Sequence, residues 1–331
     1  MPLARIRTCG RVYHPDRETA MPKLAVVQRP PKLLDRAGTL ADAVRSVEEC
    51  AANGAQLVVF PEAYVPGYPV WIWRLRPGGD MALAETLHAR LLANAVNLAA
   101  DELAPLRAAA KKHQVTIVCG IDERDGEASR GTIYNTVVLI GPDGEIRNRH
   151  RKVMPTNPER MVWGFGDGTG LKVLDTPIGR VGALICWENY MPLARYALYG
   201  QGVEIYLAPT YDAGDGWVGT MQHIAREGRC WVVGSGFVLR GADIPDSFPE
   251  KARLYPDAAE WINKGDSVVV EPGGKIAAGP MRAELGILYA DIDSARVAAA
   301  RRTLDVAGHY ARPDIFQLHV NTKPLKPVSF D

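Results

Sequence analysis

The sequence is poor in the features that mark secreted, membrane-spanning or nucleic-acid-binding chains. Its 331 residues hold five cysteines, at 9, 50, 119, 186 and 230, an odd number at wide spacings. No CxxC pair or His/Cys cluster with zinc spacing occurs, so neither a disulfide framework nor a structural zinc site follows. Thiols kept reduced in a cytosol are the expectation. No stretch reaches the ~18 uninterrupted apolar residues of a membrane helix. The first 20 residues, MPLARIRTCGRVYHPDRETA, contain no apolar run of signal-peptide length. An excess of one charge sign is missing too: 39 Lys plus Arg face 38 Asp plus Glu, a formal net charge of +1. That balance carries no electrostatic footprint for nucleic acid or an anionic membrane, and a small molecule is the expected partner. GxSxG and HExxH are absent. Gly164, Gly166, Gly168 and Gly170 recur every second residue, which is neither a dinucleotide fingerprint nor a P-loop.

What is present is an ordinary globular composition, 47% hydrophobic and 23% charged, ample for a large core. Residues 1–20 lack periodicity and read as an upstream extension; KLAVVQR (23–29) then opens as a buried strand. A helix is expected over 37–53, stopped by Asn53-Gly54, and a strand over 56–60, ended by Pro61. Two helices follow at 82–97 and 101–112, the second capped by Asp101. Strands are expected at 115–121, 132–141 and 145–151, the last two joined by Pro142-Asp143-Gly144. After a Pro- and Gly-rich loop come strands at 171–175, 179–185, 204–209 and 230–238, with helices at 190–201 and 217–229. Residues 240–264 are polar, carry three prolines and read as a surface insertion. A hairpin (267–279), a strand (286–292) and a helix (293–303) complete the pattern, and the tail from 304 has none of its own. Alternation without a composition break predicts one α/β domain with helices covering sheets.

Three polar residues stand at the ends of apolar strands, where α/β proteins place side chains in a cleft. Glu62, in VVFPEAYVPGYP, follows a buried strand and a proline, surroundings that raise a carboxylate toward general-base use. Lys152 closes a hairpin strand in NRHRKVMPT. Cys186, in GALICWENYMP, sits between an apolar run and a helix, where the helix dipole favours thiolate. Residue type alone does not single these out. Surface Glu and Lys residues are common, and Cys50, Cys119 and Cys230 read as buried structural thiols. His150, beside the lysine, reads as a packing or hydrogen-bonding residue.

The motifs around the three residues are more specific. FPE (60–62), HRKVMPT (150–156) and CWENYMP (186–192) resemble, in order and spacing, the Glu, Lys and Cys boxes of the nitrilase superfamily. ERMVWGFGDG (159–168), HIAREGRCWVV (223–233) and DVAGHYARPDIF (305–316) resemble the nitrilase branch itself, and the likeness runs from about Met21 to Asn321. The resemblance implies a four-layer αββα sandwich spanning 21–304. It implies Cys186 as nucleophile, Glu62 as general base, Lys152 as electrophilic stabiliser and Glu159 as a fourth catalytic residue. It also implies hydrolysis of a nitrile to acid and ammonia through thioimidate and thioester intermediates, with no metal or organic cofactor. An amidase or N-carbamoyl hydrolase would use the same groups, and a catalytically silent scaffold shares the fold. Tyr68, Trp163, Trp187 and Tyr190 adjoin the boxes as candidate pocket residues. A homo-oligomer, dimer or spiral, is expected, with the 305–331 tail across its contact.

Deletion of residues 1–20 is therefore expected to leave activity and assembly unchanged. A truncated protein that loses turnover, or elutes at a smaller size on gel filtration, would give the extension a function.

Overall fold

A computed structural model describes residues 21–126, 128–325 and 328. The predicted extension at 1–20 lies outside the described residues. The first strand, β1 (Lys23–Gln28), is buried at five of its six positions, as expected of a strand covered on both faces. Helix α1 (Arg36–Ala52) begins where the Asp35 carboxylate accepts the N–H of Gly38 at 2.9 Å, and it stops at Asn53-Gly54, with Gly54 at φ +82°. Strand β2 (Ala55–Val59) follows, then α2 (Met81–Asn94), α3 (Ala104–His113), and β3 (Thr116–Arg124), β4 (Ile133–Ile140) and β5 (Ile146–Arg151). The second half runs β6 (Leu174–Thr176), β7 (Gly179–Ala183), α4 (Pro192–Tyr199), β8 (Ile205–Thr210), α5 (Asp215–Gly228) and β9 (Trp231–Gly236). Last come β10 (Val238–Arg240), α6 (Lys251–Leu254), β11 (Trp261–Val270), β12 (Ile276–Arg282), β13 (Gly286–Asp291) and α7 (Ala295–Arg301).

These strands form two mixed sheets. One has the order β13-β1-β2-β3-β4-β5; the other runs β10-β11-β9-β8-β7-β6, with β12 paired to β11. The centre of each is parallel: β1, β2 and β3 in the first, β7, β8 and β9 in the second. Parallel neighbours need crossovers, and helices supply them. Helix α1 links β1 to β2, α4 links β7 to β8, and α5 links β8 to β9.

Three packed clusters define four layers. Leu24, Val26, Leu57, Val59 and Val118 from the first sheet meet Val181, Ile205, Leu207, Val233 and Val269 from the second. The outer face of the first sheet packs Val27, Val58 and Ile117 on Leu40, Val47 and Leu106 of α1 and α3. That of the second packs Tyr206, Val232 and Val268 on Leu198, Trp217, Met221 and Ile224 of α4 and α5. The expected αββα sandwich is the observed one.

Two local expectations are corrected. Asp101 does not cap α3. It ends a short 3-10 turn in the left-handed region (φ +53°) and pairs with Arg107 at 2.6 Å, while α3 begins three residues later with a proline in its first turn. Pro105 fits there because its missing N–H would have had no intrahelical acceptor. Residues 240–264 are not a loose surface insertion either. Ile244, Phe248, Leu254 and Tyr255 are buried with Trp71, Leu87 and Leu91, and the Phe248 ring lies 5.9 Å from that of Trp71. Four inward apolar residues outweigh the polar, proline-bearing remainder.

Gly120, in β3, is where the first sheet accommodates the segment after β2. The chain leaves β2 through Phe60, whose N–H reaches Val118 O at 2.8 Å, and returns at Val65, whose N–H reaches Gly120 O at 3.2 Å. Pro61, Glu62 and Ala63 arch over Gly120 between those two bonds. A Cβ at position 120 would overlap the backbone of all three residues. Gly120→Ala is therefore expected to cost about 3 kcal/mol, at the upper end of overpacking penalties. It should lower the denaturant midpoint at unchanged m-value and reduce turnover, because the displaced segment carries Glu62. A wild-type midpoint would show that the arch can shift freely.

Candidate active site

Glu62, Lys152 and Cys186 converge from three strand ends on both sheets. Glu62 lies just past β2 and is fully buried. One carboxylate oxygen accepts Lys152 Nζ at 2.8 Å and Asn135 Nδ2 at 2.7 Å; the other accepts the N–H of Tyr211 at 2.6 Å. Lys152 directly follows β5, where its N–H bonds to Asn135 O at 2.8 Å and its carbonyl accepts the N–H of Gly166 at 2.8 Å. The ammonium also donates to Glu159 at 2.7 Å. Glu159 sits in a 3-10 turn (Asn157–Met161), where it accepts the N–H of Thr156 at 2.6 Å and the hydroxyl of Tyr68 at 2.7 Å. The thiol of Cys186 and one oxygen from each glutamate lie within 4.8 Å of one another.

Those three ligand atoms have a spacing that could hold a metal ion. The space between the carboxylates already contains the Lys152 ammonium, in hydrogen-bond contact with both. A covalently tethered cation does there what a divalent ion would do elsewhere.

Cys186 opens a five-residue 3-10 turn (Cys186–Tyr190) at φ +51°, a strained conformation for a residue with a side chain. Two buried neighbours hold it. Asn189 donates to Leu184 O at 3.1 Å and to Cys186 O at 2.7 Å, and accepts the Tyr206 hydroxyl at 2.7 Å. Glu188 accepts the N–H of Ile185 at 2.7 Å and of Val153 at 2.7 Å, tying the cysteine turn to the residue after Lys152. His150 presents Nε2 to Glu188 at 2.9 Å, and facing a carboxylate that nitrogen carries the proton. The expectation that His150 is a hydrogen-bonding residue describes its place.

Burial dominates the electrostatics. It raises the Glu62 carboxyl above its ordinary range; Lys152 opposes the shift and Glu159 adds to it. Burial works against the charge on Lys152, but Glu62, Cys186 and Glu159 outweigh it and hold the ammonium firmly protonated. Burial and the Glu62 charge push the Cys186 thiol well up, against Lys152. The helix dipole expected to favour thiolate does not prevail, because a short 3-10 turn follows the cysteine and α4 starts only at Pro192. A neutral thiol beside a raised carboxylate suits proton transfer on demand better than a standing thiolate.

A cavity of about 220 Å³ opens onto Cys186 and Glu159, lined also by Tyr68, Trp73, Thr156, Trp187, Tyr211, Asp212 and Ala213. Of the four aromatic pocket candidates, Tyr68 and Trp187 line it. Tyr68 is buried and stacks on Tyr211 at 3.9 Å, while Trp187 is 50% exposed at the mouth. Trp163 and Tyr190 do not. Trp163 lies behind Tyr68, 5.9 Å from Lys152 Nζ and hydrogen-bonded to Asp122 at 2.7 Å, where it shields the lysine. Tyr190 packs edge-on against Trp187, ring centroids 5.7 Å apart. Asn135, Trp73, Tyr211, Asp212 and Glu188 were not anticipated. Asn135 breaks an apolar strand, and Tyr211 and Asp212 follow β8 as Glu62 follows β2, so both signals were available.

The fold is an αββα sandwich that buries a carboxylate–ammonium–thiol cluster at the strand ends of its two sheets. The chain belongs to the carbon-nitrogen hydrolase family, whose model matches residues 23–302. It is similar to an aliphatic nitrilase of Sinorhizobium fredii, 41% identical over 92% of this chain and 97% of that one. A bifunctional nitrilase/nitrile hydratase of Nicotiana tabacum is 41% identical over 93% of this chain and 88% of its own. Among solved structures, a carbon-nitrogen hydrolase of Helicobacter pylori superposes with a TM-score of 0.67 at 21% identity, covering 89% of this chain and 97% of that one. An amidase of Nesterenkonia sp. reaches 0.61 at 21% identity, covering 86% and 95%. Those two likenesses show the shared fold.

Glu188 supplies a check on how the site is held. His150 and the N–H groups of Ile185 and Val153 keep its carboxyl below its ordinary value of 4.5, despite the opposing effect of burial. A depressed folded-state value means its stabilisation is complete above about pH 4.5 and is lost as pH falls through the folded value. Glu188→Gln should cost about 3 kcal/mol at neutral pH, since one acceptor is lost and His150 faces an amide. The stability gap between wild type and variant, followed by chemical unfolding, should narrow as pH falls below 4.5. A constant gap would show that the charge of Glu188 is not what holds the turn.

Proposed function

We propose that this chain is a nitrilase, hydrolysing an organic nitrile to the carboxylic acid and ammonia. The observation that carries the reading is the Lys152 ammonium held between Glu62 and Glu159, with the Cys186 thiol beside them. Glu62 takes the thiol proton as sulfur attacks the nitrile carbon. Glu62 passes that proton to the nitrile nitrogen, the nitrile becomes a covalent thioimidate, and Glu62 is again a carboxylate. Lys152 and the backbone N–H groups that open the cysteine turn stabilise the developing negative charge. A first water, activated by Glu62, adds to the thioimidate; the tetrahedral adduct expels ammonia and leaves a thioester. A second water releases the acid and returns the proton to the thiol. Two waters are consumed per nitrile, with no redox change.

Glu159 acts through Lys152. Bonded at once to the ammonium, to Tyr68 and to the Thr156 N–H, it fixes the lysine laterally so that Glu62 is not its sole partner. The stacked Tyr68, Tyr211 and Trp73 give the cavity an apolar wall suited to an aliphatic or arylaliphatic substituent. Identity of 41% to proteins named as nitrilases favours a nitrile over the amide that the same three groups could attack.

Exposed Tyr310, Ile315, Phe316 and Leu325 support the reading that the tail meets a second copy in a homo-oligomer. No described helix is long and apolar enough to cross a membrane. Free buried thiols at Cys50, Cys119, Cys186 and Cys230 suit a reducing, cytoplasmic setting.

A panel of nitriles, matched amides and N-carbamoyl amino acids tests the substrate class, read as ammonia release with chromatographic identification of products. Nitriles should be turned over with little action on amides. Cys186→Ala should abolish turnover with native circular dichroism, and Glu62→Gln and Lys152→Ala should each slow it by roughly 10²–10⁴-fold. Because burial raises Glu62, the acid limb of kcat/KM should lie above pH 4.5, with activity falling as pH drops through it. Fast amide hydrolysis without nitrile turnover would overturn the nitrilase reading and leave the cluster standing.

A further inference from the structure

The cavity mouth carries a third carboxylate that the reaction above does not use. Asp212, two residues past the end of β8 and next to the Tyr211 N–H that anchors Glu62, lines the cavity. One oxygen accepts Trp187 Nε1 at 2.9 Å and the Tyr190 hydroxyl at 3.4 Å; the other accepts the N–H of Ala213 at 2.8 Å. All three donors are neutral, and among the described residues no cation pairs with it. Its loop is held in place. The Asp212 N–H bonds to Thr210 Oγ1 at 2.8 Å, the Gly214 N–H bonds to buried Asp266 at 2.7 Å, and Asn263 donates to Tyr211 O. The charge is therefore fixed at the mouth.

Two carboxylates, Glu159 and Asp212, line the cavity, and Glu62 lies behind that wall, sharing the single ammonium of Lys152 with Glu159, so three carboxylates in and beneath the cavity face one cation. Moving a proton from Cys186 to Glu62 leaves that sum unchanged, and an additional proton on Glu62 still leaves it negative. In about 220 Å³, any bound group lies within a Debye length, ~8 Å at physiological salt, of these charges. The proposed reaction turns a neutral molecule into an anion in this space.

We propose that Asp212 sets the charge selectivity of the site. It admits neutral and cationic nitriles, disfavours nitriles bearing a distal carboxylate, and speeds departure of the acid product. Its indole and phenol contacts make it a positioning residue for Trp187 as well, so charge and packing have to be separated. The inference rests on the nitrilase reading, because the charged series is offered as nitriles.

The test compares three nitriles of equal length, ending in a carboxylate, a carboxamide or an ammonium group, on wild type, Asp212→Asn and Trp187→Phe. The phenylalanine keeps the ring and the Asp212 charge while removing the indole donor. Wild type should favour the carboxamide over the carboxylate by kcat/KM, and Asp212→Asn should shrink that ratio roughly three- to ten-fold. The acid product should inhibit Asp212→Asn more tightly by a similar factor. The wild-type ratio should fall toward that of the variant in about 0.5 M salt, and Trp187→Phe should retain it. An unchanged ratio in Asp212→Asn, or an equal change in Trp187→Phe, would overturn the proposal. Should no nitrile react at all, the nitrilase reading fails instead, and the same series as amides reads the charge ratio independently.

Discussion

The Lys152 ammonium, buried between two carboxylates, is the contact on which the rest of this site depends. A lone buried lysine gives up its proton, and two carboxylates this close do not both ionise without a cation between them. Each side chain makes the charge of the others tolerable. Removing one partner leaves an uncompensated charge at the centre of the protein, which costs more than the bond that is lost. The neighbours follow from this demand. Asn135, the Tyr211 N–H, the Tyr68 hydroxyl and the Thr156 N–H each satisfy a carboxylate lone pair that water would otherwise occupy.

Cys186 is tied to the same cluster through a further buried carboxylate, that of Glu188. Glu188 joins the cysteine turn to the backbone just beyond Lys152, so the thiol is registered against the lysine by a single side chain bonded to both segments. The strained backbone at Cys186 is tolerable because Asn189 and Glu188 hold it from either side. The motif CWEN thus has a physical reading beyond its thiol: its third and fourth residues are the supports that keep the first in place.

Much of this was legible in the sequence, for identifiable reasons. Apolar runs ended by a proline or by a turn located β2, β7 and β8, and polar residues at those ends marked Glu62 and Cys186. Glu159 came only from resemblance, because nothing in ERMVWGF distinguishes a glutamate beneath a lysine from one facing solvent. The start of α3 was misplaced because Asp101 carries a capping residue's chemistry, whereas the left-handed turn that ends there depends on the path of the preceding chain. The 240–264 segment misled because its composition is polar while its few apolar side chains do the packing. Asp212 follows β8 as Glu62 follows β2, so its place at a strand end was legible, but that it faces the cavity without a cation is a relation between distant parts of the chain.

Glu62 and Lys152 hang from one sheet, Cys186 and Tyr211 from the other. Neither sheet alone contains the whole cluster, whatever secondary structure it has formed. The Cys186 thiol meets Glu62 and Lys152 only when the inner faces of the two sheets close on each other. Assembly of the cluster is thereby a readout of sheet docking. A loosened state that kept its helices and strands but let the layers part would lose the cluster before it was visibly unfolded.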